Sequence, residues 1–549
     1  GQLLYNISEG VKVTFIGDYT RQRPNGYAQV FAGVVPTLRP AYRQFEAIIK
    51  DLNYQPASRN PFDRLIDTDT PWRSNQELGG ASATAEFALG AGTLTSTSAW
   101  RFWNWDPSND RDFTGLQALR LSQAPSKHNQ YSQEIRWAGS LHPKVTAVFG
   151  AFYFAQDLKS DPDQVEESGT AQWRFSQSST SALWKTEGLL NGYGIKTRQQ
   201  METQSAALFG QLDIAIGSKL SLMPGLRYNY DRKSINFSRT TYGGLQTTDA
   251  ALLALKRLVY TDQAFEADID NTNLSGQLTL AYRFNKSLNS FFTYSTGFKP
   301  VGLNLGGLPS LDGKPMTELA TVKPESVQHL EWGLKSRPGK NATLNLTVYK
   351  TNIYDFQTNV QTADLAVNRG YLANAEQVGV QGVELEGTVS LNKHFSFYGN
   401  VAYTDAKYVK FTNAPVPLEE TGGATFKDIS GGQLPGVSKW AGSFGVEYAT
   451  ATKLFNEIGE FFIALDSYGR STFSSSPSPS KYLNIAGYNL LNARLGFKAS
   501  KGLSVTIWSR NLGNNDYFEL LLPGAGNAGH YAAVLGDPRT FGITIRGGI

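Results

Sequence analysis

Leu220-Ser221-Leu222-Met223-Pro224-Gly225-Leu226-Arg227-Tyr228-Asn229-Tyr230-Asp231 separates by parity into two chemistries. Leu220, Leu222, Pro224, Leu226, Tyr228 and Tyr230 make an oily face; Ser221, Met223, Gly225, Arg227, Asn229 and Asp231 make a polar one. Successive side chains of a strand point to opposite faces, so this is a two-sided β-strand. The pattern recurs. Leu278, Leu280, Tyr282 and Phe284 alternate with Gln277, Thr279, Ala281 and Arg283. Leu503, Val505 and Ile507 alternate with Ser504, Thr506 and Trp508, and Phe541, Ile543 and Ile545 with Gly542, Thr544 and Arg546.

A soluble sandwich buries its oily face, and its strands run ~5–6 residues. Here the alternation holds for roughly 9–12 residues, the length that crosses a bilayer at a tilt of ~45°. Oily faces end in rings, as at Tyr228/Tyr230, Trp100/Phe102 and Phe292/Tyr294, which suits the interfacial girdles of an outer-membrane barrel. About eighteen strands are expected: 11–20, 81–90, 93–104, 131–139, 146–156, 205–216, 219–231, 273–284, 288–298, 326–336, 342–356, 377–390, 394–405, 439–449, 460–470, 488–498, 503–512 and 538–547. Short turns such as Gly90-Ala91-Gly92, Gly217-Ser218 and Asn285-Lys286-Ser287 alternate with long loops at 21–80, 105–130, 157–204, 232–272, 299–325, 357–376, 406–438, 471–487 and 513–537. Short connections at one end and long ones at the other mark a transmembrane antiparallel β-barrel, with periplasmic turns and extracellular loops. The fold class is therefore all-β, with residues 1–549 as one barrel domain. Tyr42–Leu52 and Ala251–Val259 have helix-forming composition within the loops.

Composition excludes other classes. The 549 residues carry 51 Lys+Arg and 47 Asp+Glu, a net charge of +4, which leaves no footprint for nucleic acid. With no Cys there is no disulfide frame and no thiolate chemistry. The five His (His128, His142, His329, His394, His530) include no H-x-x-x-H pair, which argues against a zinc enzyme. No run approaches the ~18–20 apolar residues of a transmembrane helix. The mean hydropathy of −0.32 is compatible with a barrel, which hides its oily face by alternation. There is no G-x-S-x-G, P-loop or H-E-x-x-H. No catalytic residue, metal site or cofactor is expected.

Seven segments, in order, resemble the barrel of TonB-dependent outer-membrane receptors. They are Tyr131-Ser132-Gln133-Glu134-Ile135-Arg136; Ala206-Ala207-Leu208-Phe209-Gly210-Gln211 through Pro224-Gly225-Leu226-Arg227-Tyr228; and Thr293-Tyr294-Ser295-Thr296-Gly297-Phe298-Lys299-Pro300. Then come Lys323-Pro324-Glu325 with Leu330-Glu331-Trp332-Gly333-Leu334-Lys335; Gly379-Val380-Gln381-Gly382-Val383-Glu384-Leu385-Glu386; Arg510-Asn511-Leu512-Gly513-Asn514-Asn515-Asp516-Tyr517; and Gly536-Asp537-Pro538-Arg539-Thr540-Phe541-Gly542. The resemblance implies a barrel of about 22 strands around a plug. This sequence departs from it: Tyr5-Asn6-Ile7-Ser8-Glu9-Gly10 resembles the end of the fourth strand and its turn. The expectation is that the plug and roughly four strands are missing, and that Gly1 is not the biological start. The closing Arg546-Gly547-Gly548-Ile549 lacks the terminal aromatic of such barrels.

By resemblance, the chain belongs to an active transporter in the outer membrane of a Gram-negative bacterium. Loops capture a scarce solute, a ferric siderophore or another nutrient. The TonB energy-transducing complex then acts through the plug. Further partners are outer-membrane lipid and lipopolysaccharide. A passive porin-like channel and a soluble β-rich binding protein stay open as alternatives.

Candidate ligand-binding residues follow from chemistry. In Trp100-Arg101-Phe102-Trp103-Asn104-Trp105-Asp106, parity turns Arg101 and Trp103 inward and Trp100 and Phe102 outward. Arg101 suits an anion, and Trp103 and Trp105 suit a ring; lipid anchoring and a lumen ion network are the competing readings. Arg227 and Lys299 fit either chelate or plug contacts. Tyr517, His530 and Tyr531 fit either a ligand cap or loop packing. Asp157, Asp161, Asp163, Glu166 and Glu167 could hold a divalent cation or bridge to lipopolysaccharide, but match no EF-hand spacing; a solvated loop explains them as well. Glu331 and Glu384 are expected in the lumen, paired with facing Arg or Lys.

Overall fold

A computed structural model describes residues 1–24, 29–311, 314–361, 370–454 and 456–547. Nineteen strands make the wall: Gln2–Ser8, Val11–Gln22, Arg73–Leu89, Gly92–Ser108, Ser126–His142, Val145–Lys159, Gly194–Ile216, Leu220–Tyr242, Gln263–Asn285, Leu288–Lys299, Glu325–Gly339, Ala342–Gln361, Gly370–Ser390, Phe395–Lys410, Trp440–Leu454, Glu457–Arg470, Tyr488–Ala499, Ser504–Arg510 and Thr540–Arg546. Each pairs antiparallel with its predecessor in the chain. Every expected strand overlaps one of these. The additional one, Gln2–Ser8, has seven residues, too few to read as a membrane span. Among the described residues, Gln2–Ser8 and Thr540–Arg546 each pair on one side only. Gly548 and Ile549, and residues 362–369 of an expected loop, lie outside the described residues.

Register carries the parity of the sequence from strand to strand. Leu208 faces Tyr228, and Tyr228 faces Leu274. Phe209, Arg227 and Ser275 line up on the opposite face. A slip of one residue would exchange the two faces. The oily face looks outward: Leu226 is 63% exposed, Leu274 65% and Phe541 80%. Side chains packed in a dry centre would be buried. Among the described residues, no helix is long and apolar enough to cross a membrane. Tight turns such as those at Gly90 (φ +61°) and Gly217 (φ +88°) take the left-handed backbone that glycine adopts without penalty.

Among the described residues, neither Glu331 nor Glu384 forms the expected ion pair with Arg or Lys. Glu331 stands between Thr293 and Tyr349, and its Oε2 meets His329 Nε2 at 3.2 Å. Glu384 stands between Thr347 and Ala402. Register puts no Lys or Arg opposite either one.

The packed interior is in the long connections. Val30–Val34, Phe518–Pro523 and His530–Leu535 form a three-stranded sheet that joins the first long connection to the last. Phe31, Phe45, Ile48, Leu116 and Phe175 form one core. Val30, Leu418, Phe473, Ile485 and Leu521 form another. The helices expected in the loops are present as Phe45–Asp51 and Ala250–Val259. Asp249 caps the second, its Oδ1 accepting from Ala251 N at 2.8 Å and Leu252 N at 3.1 Å. All long connections leave the same end of the wall, so these cores form a cap across that end.

Candidate functional site

Arg101, Gly80 and Asp18 are register partners on three neighbouring strands. Gly80 has no side chain, so Arg101 reaches over it to Asp18: Nη2 donates to Oδ2 at 3.0 Å and Nη1 to Oδ1. Two residues on, the ring of Trp103 stacks with that of Trp105 at 5.5 Å and 16°, and lies 4.9 Å from His128. Trp103 Nε1 donates to Gln76 Oε1 at 3.1 Å, and Trp105 Nε1 to Ser74 Oγ at 3.2 Å. Beside Trp105 lies a cavity of about 340 Å³, lined in part by Arg21, Gln76, Lys127 and Asp161. The result is a flat aromatic pair beside an arginine whose fork is already engaged. An anionic guest would have to compete with Asp18 for it.

The other candidates lie elsewhere. The Arg227 guanidinium sits 5.6 Å from the Phe152 ring and 5.4 Å from the Phe209 ring, and Nε donates to Asn229 Oδ1 at 2.9 Å. Lys299 Nζ reaches Glu325 Oε1 at 3.3 Å, and the same oxygen accepts from Gln357 N at 2.7 Å. Tyr517 packs on Tyr488 at 4.5 Å. Tyr531 packs against Gly33, where a side chain would collide with its ring. His530 is 1% exposed and stacks on Phe45 at 4.2 Å. Its Nε2 donates to Asp112 O at 3.2 Å. Burial lowers its pKa to about 4, so the ring is neutral at pH 7. Thus Arg101, Trp103 and Trp105 come together on one face. His530 and Tyr531 come together in the loop sheet. No hydrogen bond, ion pair or ring contact joins either set to Arg227 or Lys299 among the described residues.

The acidic segment also resolves into pairs. Asp161 meets Lys127 at 2.9 Å, Asp163 meets Arg198 at 2.9 Å, Glu166 meets Arg111 at 2.9 Å, and Glu167 contacts Arg120. Among the described residues, the carboxylates that crowd together are different ones: Asp69, Asp110 and Asp112. Burial first, then neighbouring carboxylates, push Asp69 up to about 6 and Asp110 up to about 7; Asp112 rises well above its ordinary value for the same reasons. The sequence signal was available as two D-x-D pairs, Asp67-Thr68-Asp69 and Asp110-Arg111-Asp112. These lie 43 positions apart between their first residues (110 − 67), and only the fold brings them together.

Comparison with known proteins agrees with this architecture. The structure is similar to that of the ferric yersiniabactin uptake receptor of Yersinia pestis, with TM-score 0.71 and 16% identity, covering 98% of this chain and 68% of that one. It is similar to the siderophore receptor of Acinetobacter baumannii, with TM-score 0.67 and 17% identity, covering 100% and 73%. The ferrioxamine B receptor of Salmonella typhimurium (strain SL1344) is 24% identical over 196 residues, which is 34% of this chain and 26% of that receptor. The match therefore spans about a quarter of that curated relative. Residues 10–512 match the family model described as TonB dependent receptor-like, beta-barrel, and the chain belongs to that family.

Proposed function

We propose that this barrel serves energy-coupled uptake of a scarce solute, a ferric siderophore or a chelate like it, across a Gram-negative outer membrane. The family match over residues 10–512 carries this reading. The named functions of the relatives, uptake or reception of iron chelates, support the substrate class. The family transports rather than catalyses, so no reaction is assigned to the chain. Residues 1–549 act as one barrel domain, whose oily outer face meets outer-membrane lipid and lipopolysaccharide. Coupling to the TonB complex runs through a plug, with Arg227 and Lys299 as lumen contacts for plug or chelate. Arg101, Trp103 and Trp105 are the ligand-facing set: a stacked ring pair and a cation suit an aromatic, anionic chelate. Tyr517, His530 and Tyr531 support the set from the loop cap.

Uptake of iron-labelled chelates, ferrioxamine B among them, should be compared in strains with and without the complete gene. Uptake that needs both the gene and the proton-motive force is expected. Gene-dependent uptake that survives a protonophore, with steady conductance in planar bilayers, would instead identify a passive channel.

A further inference from the structure

We propose that the outer face of the wall holds one lipopolysaccharide molecule, with a headgroup phosphate on Lys350 and an acyl chain in the groove beneath it. This deepens the outer-membrane reading above and rests on it, since that reading sets the long connections outside the cell. On strand Ala342–Gln361 the outward side chains run Ala342, Leu344, Leu346, Val348 and then Lys350. Lys350 is therefore the first outward charge above the apolar band of that strand. Its register partners are Leu330 on one side and Gln381 on the other. In the next row down, Trp332, Val348, Val383 and Tyr403 line up.

Shape is the first observation that points to a lipid. Beneath Lys350 the outer face is concave, with a groove of about 410 Å³ lined by Phe292, Leu330, Trp332, Val348, Val383 and Tyr403. One row farther down, at Leu385 and Val401, a second hollow of about 710 Å³ begins on the same strands. Leu344, Gly387 and Gly399 are register partners in it. Neither glycine raises a side chain there, and that bare strip deepens the hollow. Leu344 lies six residues below Lys350 (350 − 344), which is roughly 14 Å at ~3.3 Å per residue and a tilt of ~45°. That is about half of a ~30 Å hydrocarbon core, the depth of one leaflet.

Charge is the second. Lys350 is exposed, and its side chain makes no ion pair or hydrogen bond among the described residues. Asp405, the register partner of Gln381, already meets Lys407 Nζ at 2.8 Å. Rings surround this level: Tyr294 is the register partner of Leu330, and Tyr403 packs on exposed Trp440 at 4.9 Å. Such rings sit at the depth of lipid headgroups. A free ammonium at headgroup depth over an apolar cleft suits an anionic lipid, cation to phosphate and chain to cleft. Lys350 stands toward the long-connection end of its strand, hence in the leaflet that faces the cell exterior, where the phosphorylated lipid is lipopolysaccharide. The wall of a second barrel is convex and would bridge the groove without filling it; an acyl chain is narrow and flexible enough to enter.

The complete receptor is purified from outer membranes in mild detergent and washed with excess detergent. Native mass spectrometry then counts the lipid that stays bound, and mass spectrometry of the extract identifies it. One lipopolysaccharide per barrel is expected to survive the wash. Lys350→Gln should lower its retention about fivefold, the weight of one basic residue at an anionic surface, and Lys350→Arg should keep it. Val383→Trp fills the groove with another apolar side chain and should also lower retention, with the SDS-resistant fraction unchanged in all three variants. Complete loss of lipopolysaccharide from the parent in the wash would overturn the site. So would unchanged retention in Lys350→Gln or Val383→Trp, or a phospholipid or a second copy of the chain held there instead. Failure of the outer-membrane reading looks different: the barrel itself would not fractionate with the outer membrane.

Discussion

Arg101 shows how one missing side chain on the neighbouring strand sets a site. A Cβ at Gly80 would lie 2.7 Å from Arg101 Cδ; without it, the guanidinium crosses to Asp18. Asp18→Asn removes that competitor and should raise the affinity for an anionic chelate a few-fold, whereas Arg101→Gln should lower it. Titration of the purified receptor with the transported chelate measures both, and an unchanged affinity in both variants would remove Arg101 from the site. His530 is a different kind of residue. It fills the space beside Phe45 and Phe175, so His530→Ala leaves a cavity costing about 3 kcal/mol, which should appear as faster proteolysis of the loops with the wall intact. Parity in the sequence was enough to turn Arg101 and Trp103 inward. It could not separate a ligand cap from a packed core at His530, because that difference lies in contacts with Phe45, some 485 positions earlier (530 − 45). The Asp cluster stayed hidden for the same reason.

Strands are where the sequence speaks most directly. The oily face must meet lipid at every second residue, so their middles are legible. Their outer ends are not. Gly194–Ile216 begins eleven residues before the expected start (205 − 194), because Lys196, Arg198, Gln200, Glu202 and Gln204 occupy the outward positions there. Beyond the membrane the outward face meets water while the inward face, with Ile195, Thr197 and Gln199, is buried under the loops, so the oily-out, polar-in alternation vanishes. The two faces predict opposite tolerances. Leu278, outward and 48% exposed, lies next to Gln277, which pairs with Gly225 on the lumen side. Leu278→Arg should cost about 2–4 kcal/mol and reduce the fraction of barrel that resists SDS on a gel; Gln277→Arg should leave that fraction unchanged. Equal losses would mean that the faces have been assigned wrongly.

Across the whole molecule, the cap joins connections that leave distant parts of the wall, held by packing and hydrogen bonds. The chain contains no Cys, so an engineered pair reports without background. Val30 and Ala533 are cross-strand partners in the loop sheet. Val30→Cys combined with Ala533→Cys should lock the first connection to the last under oxidation and stop uptake, with recovery on reduction. Uptake that continues at full rate while the pair is oxidised would mean that this seam need not part. The wall beneath the cap is uneven. Gly194–Ile216, Leu220–Tyr242 and Gln263–Asn285 run 23 residues each, while Ser504–Arg510 and Thr540–Arg546 run 7. At ~3.3 Å per residue and a tilt of ~45°, the long strands rise roughly 54 Å, some 30 Å more than an apolar band of ~25 Å. The rim is therefore slanted like a cut reed, with a parapet on one flank and a low sill on the other. On the proposed reading, a solute arriving from the cell exterior meets the lowest part of the wall at the sill, where the connection bearing Phe518–Pro523 and His530–Leu535 is rooted.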